Sequence, residues 1–192
     1  MIAIIDYGAG NIRSVKNALR RLGAEPVLTA DEAILRAADK VIFPGVGEAA
    51  TAMHALRGTG LDRVIPELRQ PVLGVCLGLQ MLCLRSEEAE TEGLGVFPVE
   101  VRRFPATGKI PHMGWNALRS AEGPLFADLP EQADVYFVHS YYAETAPATA
   151  AVTDYLLPFS AALCRDNFYA VQFHPEKSGK VGARIIQNFL EL

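Results

Sequence analysis

Three short stretches carry residues whose types and spacing could do chemistry. The first is Gly74-Val75-Cys76-Leu77-Gly78, a thiol version of the G-x-S-x-G nucleophile elbow. A nucleophile on a tight strand-to-helix turn is held in a strained backbone, and bulky side chains two residues to either side would collide. A helix starting after Cys76 would point its positive end at the sulfur and favour thiolate over thiol. The plainer reading is a small buried hydrophobe between two glycines, as most unpaired cysteines are. The second stretch is "AVQFHPEKSG", in which His174 closes an apolar run and Glu176 stands two residues on. Residues i and i+2 of an extended chain project to one side, and Pro175 biases His174 toward an extended backbone. Glu176 could then hold one imidazole nitrogen and leave the other for a thiol, the base and orienter of a triad. Alone, "HPE" also fits an exposed strand end.

The third stretch is "VIFPGVGEA". A thiolate attacking an amide carbonyl builds charge on oxygen, and two preorganised N–H donors would stabilise it. The backbone N–H of Leu77 is one expected donor. The Gly45-Val46-Gly47 turn, after a neighbouring strand, suits the second, although a plain strand-to-helix turn fits its glycines equally well. Gln80 falls one helical turn past Cys76 and so near the sulfur.

The elements that must position these groups are legible from hydrophobic patterning. "IAIID" reads as a fully covered strand. Ile12, Val15, Leu19 and Leu22 recur at helical spacing before Gly23, a stop signal. "EPVLT" is a second strand, Asp31 a helix cap, and "DKVIFPGVG" a third strand. Residues 48–69 read as helical with a break near Gly58 and Gly60. "PVLGV" is a fourth strand, and "LGLQMLCLR" the helix after it. Strands alternating with helices imply parallel βαβ units. From about residue 93 short strands follow one another, at 96–103, 110–118, 134–138, 149–153, 160–165 and 168–173, before an amphipathic C-terminal helix. The expected fold is α/β: one domain over 1–192, a mixed sheet with a parallel centre and an antiparallel extension, flanked by helices.

Composition narrows the function classes. Of 192 residues, 50% are hydrophobic and 21% charged, which fits a globular chain with a sizeable core. A net charge of −4 and the lack of a Lys/Arg cluster argue against nucleic acid. No apolar run is long enough to span a membrane, and the N-terminus does not read as a signal peptide. Three cysteines without CxxC pairing suit a reducing cytoplasm. No cluster has zinc-ligand spacing, so no metal is expected, and no cofactor.

With Cys76, His174 and Glu176 in this order, the chain resembles class I (triad-type) glutamine amidotransferases, which implies a flavodoxin-like core. "DYGAGNIRSVKNAL", "PGVG", "GVCLGLQML", "KIPHMGWN", "YFVHSYY" and "QFHPEKSG" narrow the resemblance to the glutaminase subunits of imidazole glycerol phosphate synthases. The resemblance implies hydrolysis of L-glutamine to glutamate and ammonia, which passes to a separate (βα)8-barrel cyclase subunit. That heterodimer would make imidazole glycerol phosphate and an aminoimidazole carboxamide ribotide in histidine biosynthesis. It further implies glutamine contacts at Gly47, Gln80, Ser140 and Tyr141, and a cyclase interface at Asn11, Trp115, Tyr136 and Lys177. Negligible hydrolysis alone and strong activation by the cyclase carrying its nucleotide are expected. A sibling amidotransferase serving anthranilate, guanylate or pyridoxal phosphate synthesis, or a non-enzymatic cysteine sensor, are the competing readings. His139 reads as structural or as pocket wall and not as the base. His112 and His54 have no constellation, and Cys83 reads as inert on the helix that follows Cys76.

Overall fold

The computed structural model describes residues 1–192. The N-terminal half alternates strands β1 (Ile2–Ile5), β2 (Pro26–Thr29), β3 (Lys40–Gly45) and β4 (Val72–Cys76) with helices α1 (Ile12–Arg21), α2 (Glu32–Ala37), α3 (Ala49–Thr59) and α4 (Leu61–Val64). Asp31 caps α2 by accepting from the Ala33 and Ile34 amides at 2.8 and 3.2 Å. The break in the 48–69 stretch falls at Gly60, whose φ of 76° a side chain would resist; Gly58 stays inside α3. After β4 come α5 (Leu77–Leu82), β5 (Cys83–Ser86), β6 (Thr91–Glu92), β7 (Phe97–Arg103), β8 (His112–Ala117), β9 (Ser120–Ala121), β10 (Asp134–His139), β11 (Tyr141–Ala143), β12 (Thr149–Tyr155), β13 (Leu157–Arg165), β14 (Phe168–Val171) and α6 (Gly179–Glu191).

The main sheet runs β2-β1-β3-β4-β14-β13-β11-β7-β5-β6, with β12 on β13 and β9 on β12. β2, β1, β3, β4 and β14 pair in parallel, and β14 meets β13 antiparallel. The mixed sheet with a parallel centre is therefore present. Alternate residues of the central strands face opposite layers, as the two-residue period requires. Ala3, Ile5, Val41 and Phe43 pack with α2, α3 and α5, whereas Ile4, Ile42, Leu73 and Val75 pack with α1 and α6.

Two expectations need correction. First, the sheet is not the only one: β8 and β10 leave it and form an antiparallel ribbon of their own. A two-stranded ribbon is marginal in isolation. Here Val135, Phe137 and His139 turn inward, and the Phe137 ring meets Phe159 and Phe173 edge-on at 5.7 and 5.9 Å. Burying one such ring is worth roughly 2 kcal/mol, enough to hold the ribbon down. Second, the helix after Cys76 does not run to Arg85. It stops at Leu82, and Cys83 opens β5. The amides of Gly93, Leu94 and Gly95 donate to the carbonyls of Leu84, Met81 and Cys83 at 2.7–3.0 Å, drawing this segment into a sheet-like pairing. A Cβ on Gly93 would lie 2.1 Å from the Cys83 carbonyl oxygen, so the approach needs glycine. Cys83 is fully buried, and burial pushes its thiol up, away from reactivity.

Candidate active site

Cys76 is the last residue of β4 and the N-cap of α5, with φ 55° and ψ −108°. A non-glycine residue in the left-handed region is strained and calls for a functional reason. The surrounding glycines show how the turn is accommodated. A Cβ on Gly78 would sit 2.1 Å from the Phe43 carbonyl oxygen, one on Gly45 2.6 Å from the Gly78 nitrogen, and one on Gly74 2.8 Å from Leu82 Cδ1. β3 and the elbow are thus pressed backbone to backbone, and Gly45 pairs in register with Cys76.

His174 follows β14, the strand beside β4, so the two strand ends bring it to the sulfur's edge of the sheet. Its side chain and that of Glu176 are almost wholly buried, and Nδ1 lies 2.9 Å from Glu176 Oε1. Nε2 is buried with no hydrogen-bond partner, and His174 and Cys76 both line one cavity. Burial disfavours a charged imidazole, but Cys76 and Glu176 outweigh it and raise His174 from its ordinary 6.5 to about 9. The charged form is therefore favoured at neutral pH, next to a thiol able to carry the balancing negative charge. The arrangement can hold a thiolate–imidazolium pair with a carboxylate behind it.

The cavity encloses about 360 Å³. Of the residues expected at the oxyanion and glutamine, Val46, Gly47, Leu77, Gln80, Ser140 and Tyr141 line it. Gly45 does not; it is buried behind the elbow. Glu88, Pro111, Val138 and His139 complete the wall, and sequence reasoning missed the first three. Glu88 is half-buried, which pushes its carboxyl upward, and it accepts the Ala49 amide at 2.8 Å.

Asn11, Trp115, Tyr136 and Lys177 gather around the other side of the His174–Glu176 loop. Trp115 is 58% exposed, Met113 beside it 61%. The Trp115 and Tyr136 rings meet edge-on at 6.0 Å, and Lys177 Nζ lies 5.8 Å from the Tyr136 ring centre. Asn11 Nδ2 donates to Glu176 Oε1 at 3.3 Å, which places it on the buried carboxylate as well as near the exposed cluster. Backbone bonds pin the ribbon to the loop. His174 N–H donates to the Tyr136 carbonyl at 2.9 Å, Tyr136 N–H donates to Ser178 Oγ at 2.9 Å, and that hydroxyl donates to the His174 carbonyl at 2.7 Å. His54 is exposed on α3.

The class-I glutamine amidotransferase family model matches residues 3–192, and the chain belongs to that family. Imidazole glycerol phosphate synthase subunit HisH of Bacteroides thetaiotaomicron is 57% identical, covering 100% of this chain and 99% of that protein. The proteins of the same name from Chloroflexus aurantiacus and Methanothermobacter thermautotrophicus are 47% and 46% identical, covering 99% and 100% of this chain and 95% and 98% of theirs. Among solved structures, a glutamine amidotransferase superposes with a TM-score of 0.76 at 22% identity, covering 100% of this chain and 98% of that one. PurLQS from Thermotoga maritima gives 0.72 at 18%, covering 99% and 97%. These two share the fold.

Proposed function

We propose that this chain is the glutaminase subunit of an imidazole glycerol phosphate synthase, with Cys76, His174 and Glu176 as its catalytic triad. The observation that carries the chemistry is a strained, cavity-facing Cys76 coupled to a buried His174 that Glu176 orients. The Cys76 thiolate attacks the side-chain carboxamide of L-glutamine. The C–N bond breaks as His174 hands its proton to departing ammonia, leaving a γ-glutamyl thioester on sulfur. His174 then takes a proton from water, which attacks the thioester and releases glutamate. Glu176 stabilises the imidazolium and fixes which nitrogen faces the sulfur. The Leu77 amide and the Val46–Gly47 part of the turn serve the oxyanion; Gly47 has a φ of 102°, a backbone conformation that favours glycine. Glu88, a carboxylate in the cavity wall, suits the substrate's ammonium group.

Full-length identity to HisH subunits supports the second half of the reading. Ammonia passes to a (βα)8-barrel cyclase that docks on Trp115, Tyr136, Lys177 and Asn11. An exposed aromatic beside a cation is typical of an interface anchor, and the ribbon carrying it is bonded to the His174 backbone. No helix is long and apolar enough to cross a membrane, and all three cysteines are free thiols, which suits a reducing cytoplasm. The test is ammonia release from glutamine by the chain alone, with the cyclase, and with the cyclase and its nucleotide. Weak release alone and strong release with the loaded partner are expected. No release with the cyclase, but release with another synthase, would reassign the partner.

A further inference from the structure

Gln172 lies two residues before His174 and is fully buried. A buried amide is costly unless its hydrogen-bonding atoms are used. Its Oε1 accepts from Gln80 Nε2 at 3.0 Å, and its Nε2 points to Cys76 Sγ over 3.7 Å. The other Gln80 Nε2 hydrogen goes to the Tyr141 carbonyl, also at 3.0 Å. A backbone carbonyl only accepts, so the Gln80 atom there must be nitrogen. The Gln172 atom facing it must then be oxygen, and the end of Gln172 that meets the sulfur must be N–H. The network dictates this orientation without reference to the sulfur.

The same carbonyl is held from its other side. His139 Nδ1 lies 2.7 Å from it and must donate. In the neutral ring, His139 Nε2 then accepts from His112 Nδ1 across 3.0 Å, and His112 Nε2 accepts from Asn116 Nδ2 at 3.3 Å. Burial pushes His139 down to about 3 and His112 to about 4, so both rings are neutral at pH 7 and each has one tautomer. A single direction of donation therefore runs from Asn116 to the Tyr141 carbonyl.

We propose that Gln172 is a fourth catalytic residue, donating its N–H to the Cys76 sulfur and favouring thiolate over thiol, with Gln80 and His139 behind it as positioning residues. The proposal rests on the glutaminase reading of the same site. An N–H bond to a charged sulfur is stronger than one to a neutral thiol, so the donor acts on the ionised form. The titratable groups facing the sulfur or its cavity are His174 on the loop after β14, Tyr7 after β1, His139 at the end of β10, Tyr141 at the start of β11 and Glu88 across the cavity. Gln172 is uncharged at every pH, so it adds no titration of its own to the site.

The test follows iodoacetamide alkylation of Cys76 against pH, read on the Cys76 peptide, in the full-length chain. Gln172→Met keeps the volume and removes the donor; Gln172→Glu places a carboxylate against the sulfur. In the methionine variant the alkylation midpoint is expected to rise, with about a tenfold loss of rate at pH 7. Its kcat for glutamine in the cyclase complex should fall in parallel while KM stays within about twofold. The glutamate variant should move further the same way. An unchanged midpoint and kcat in folded Gln172→Met would overturn the proposal. A second readout needs no Gln172 variant: the side-chain amide protons of Gln172 should shift as Cys76 ionises in the wild type and stay fixed in Cys76→Ser, and a resonance that never moves would also overturn it. If wild-type alkylation behaves as expected but glutamine yields no ammonia with any synthase partner, the glutaminase reading fails while the donor assignment stands.

Discussion

Cys76→Ala should lower ammonia release from glutamine by about 10⁴-fold or more in the cyclase-bound complex. The methyl group cannot form the thioester, and neither of the other thiols can stand in. Cys83 is sealed in the core with its thiol pushed upward, and Cys164 lies on β13, outside the cavity. The residue adds no bulk at φ 55°, so the fold should persist. The substitution should also change how stability depends on pH. His174 is raised from 6.5 to about 9, a folded value above the unfolded one. Its contribution is therefore complete below about pH 6.5 and is lost as pH rises through 9. Removing the sulfur removes a principal cause of the rise, so the melting temperature of Cys76→Ala should decline less between pH 6.5 and 9 than that of the wild type. A calorimetric pH series on both proteins measures this, and equal slopes would contradict the coupling of imidazole and thiolate.

His174→Gln should cost a comparable factor, about 10⁴-fold, and combining it with Cys76→Ala should cost little more than either alone. The glutamine side chain cannot take the thiol proton, carry it to the leaving ammonia, or take one from water. The buried Glu176 would also lose its imidazole partner and keep only Asn11 Nδ2 at 3.3 Å. Non-additivity is the informative result, because groups that act as one unit fail together. Initial rates of the two single variants and the double variant, at saturating glutamine, measure it. Losses that multiply would show two independent contributions.

What the sequence revealed follows from how local each constraint is. The G-x-C-x-G spacing was readable because the elbow admits no side chain at its flanks; a Cβ at Gly78 would fall 2.1 Å from Phe43 O. "HPE" was readable because base and orienter are two residues apart in the chain. The parallel strands announced themselves as short β-branched runs between helical periods. The end of α5 at Leu82 was not readable, since it depends on amides at Gly93 to Gly95 that arrive from eleven or more residues away. The β8–β10 ribbon likewise looks like any pair of sheet strands until Phe159 and Phe173 are placed beneath Phe137. Gln172 and Glu88 have no local signature. Gln172 acquires its meaning from Gln80, 92 positions away in the chain, and Glu88 from the end of a strand that patterning read as helix. Family resemblance points Asn11 only to the docking face; the fold puts it on Glu176.

Covalent labelling with a glutamine analogue that carries a diazoketone in place of the carboxamide tests the triad most directly. After digestion of the cyclase-bound complex, the label is expected on the Cys76 peptide alone, blocked by excess glutamine and absent in His174→Gln. Label on Cys83 or Cys164 instead, or glutamine hydrolysis that continues undiminished with Cys76 fully labelled, would contradict a nucleophile at residue 76.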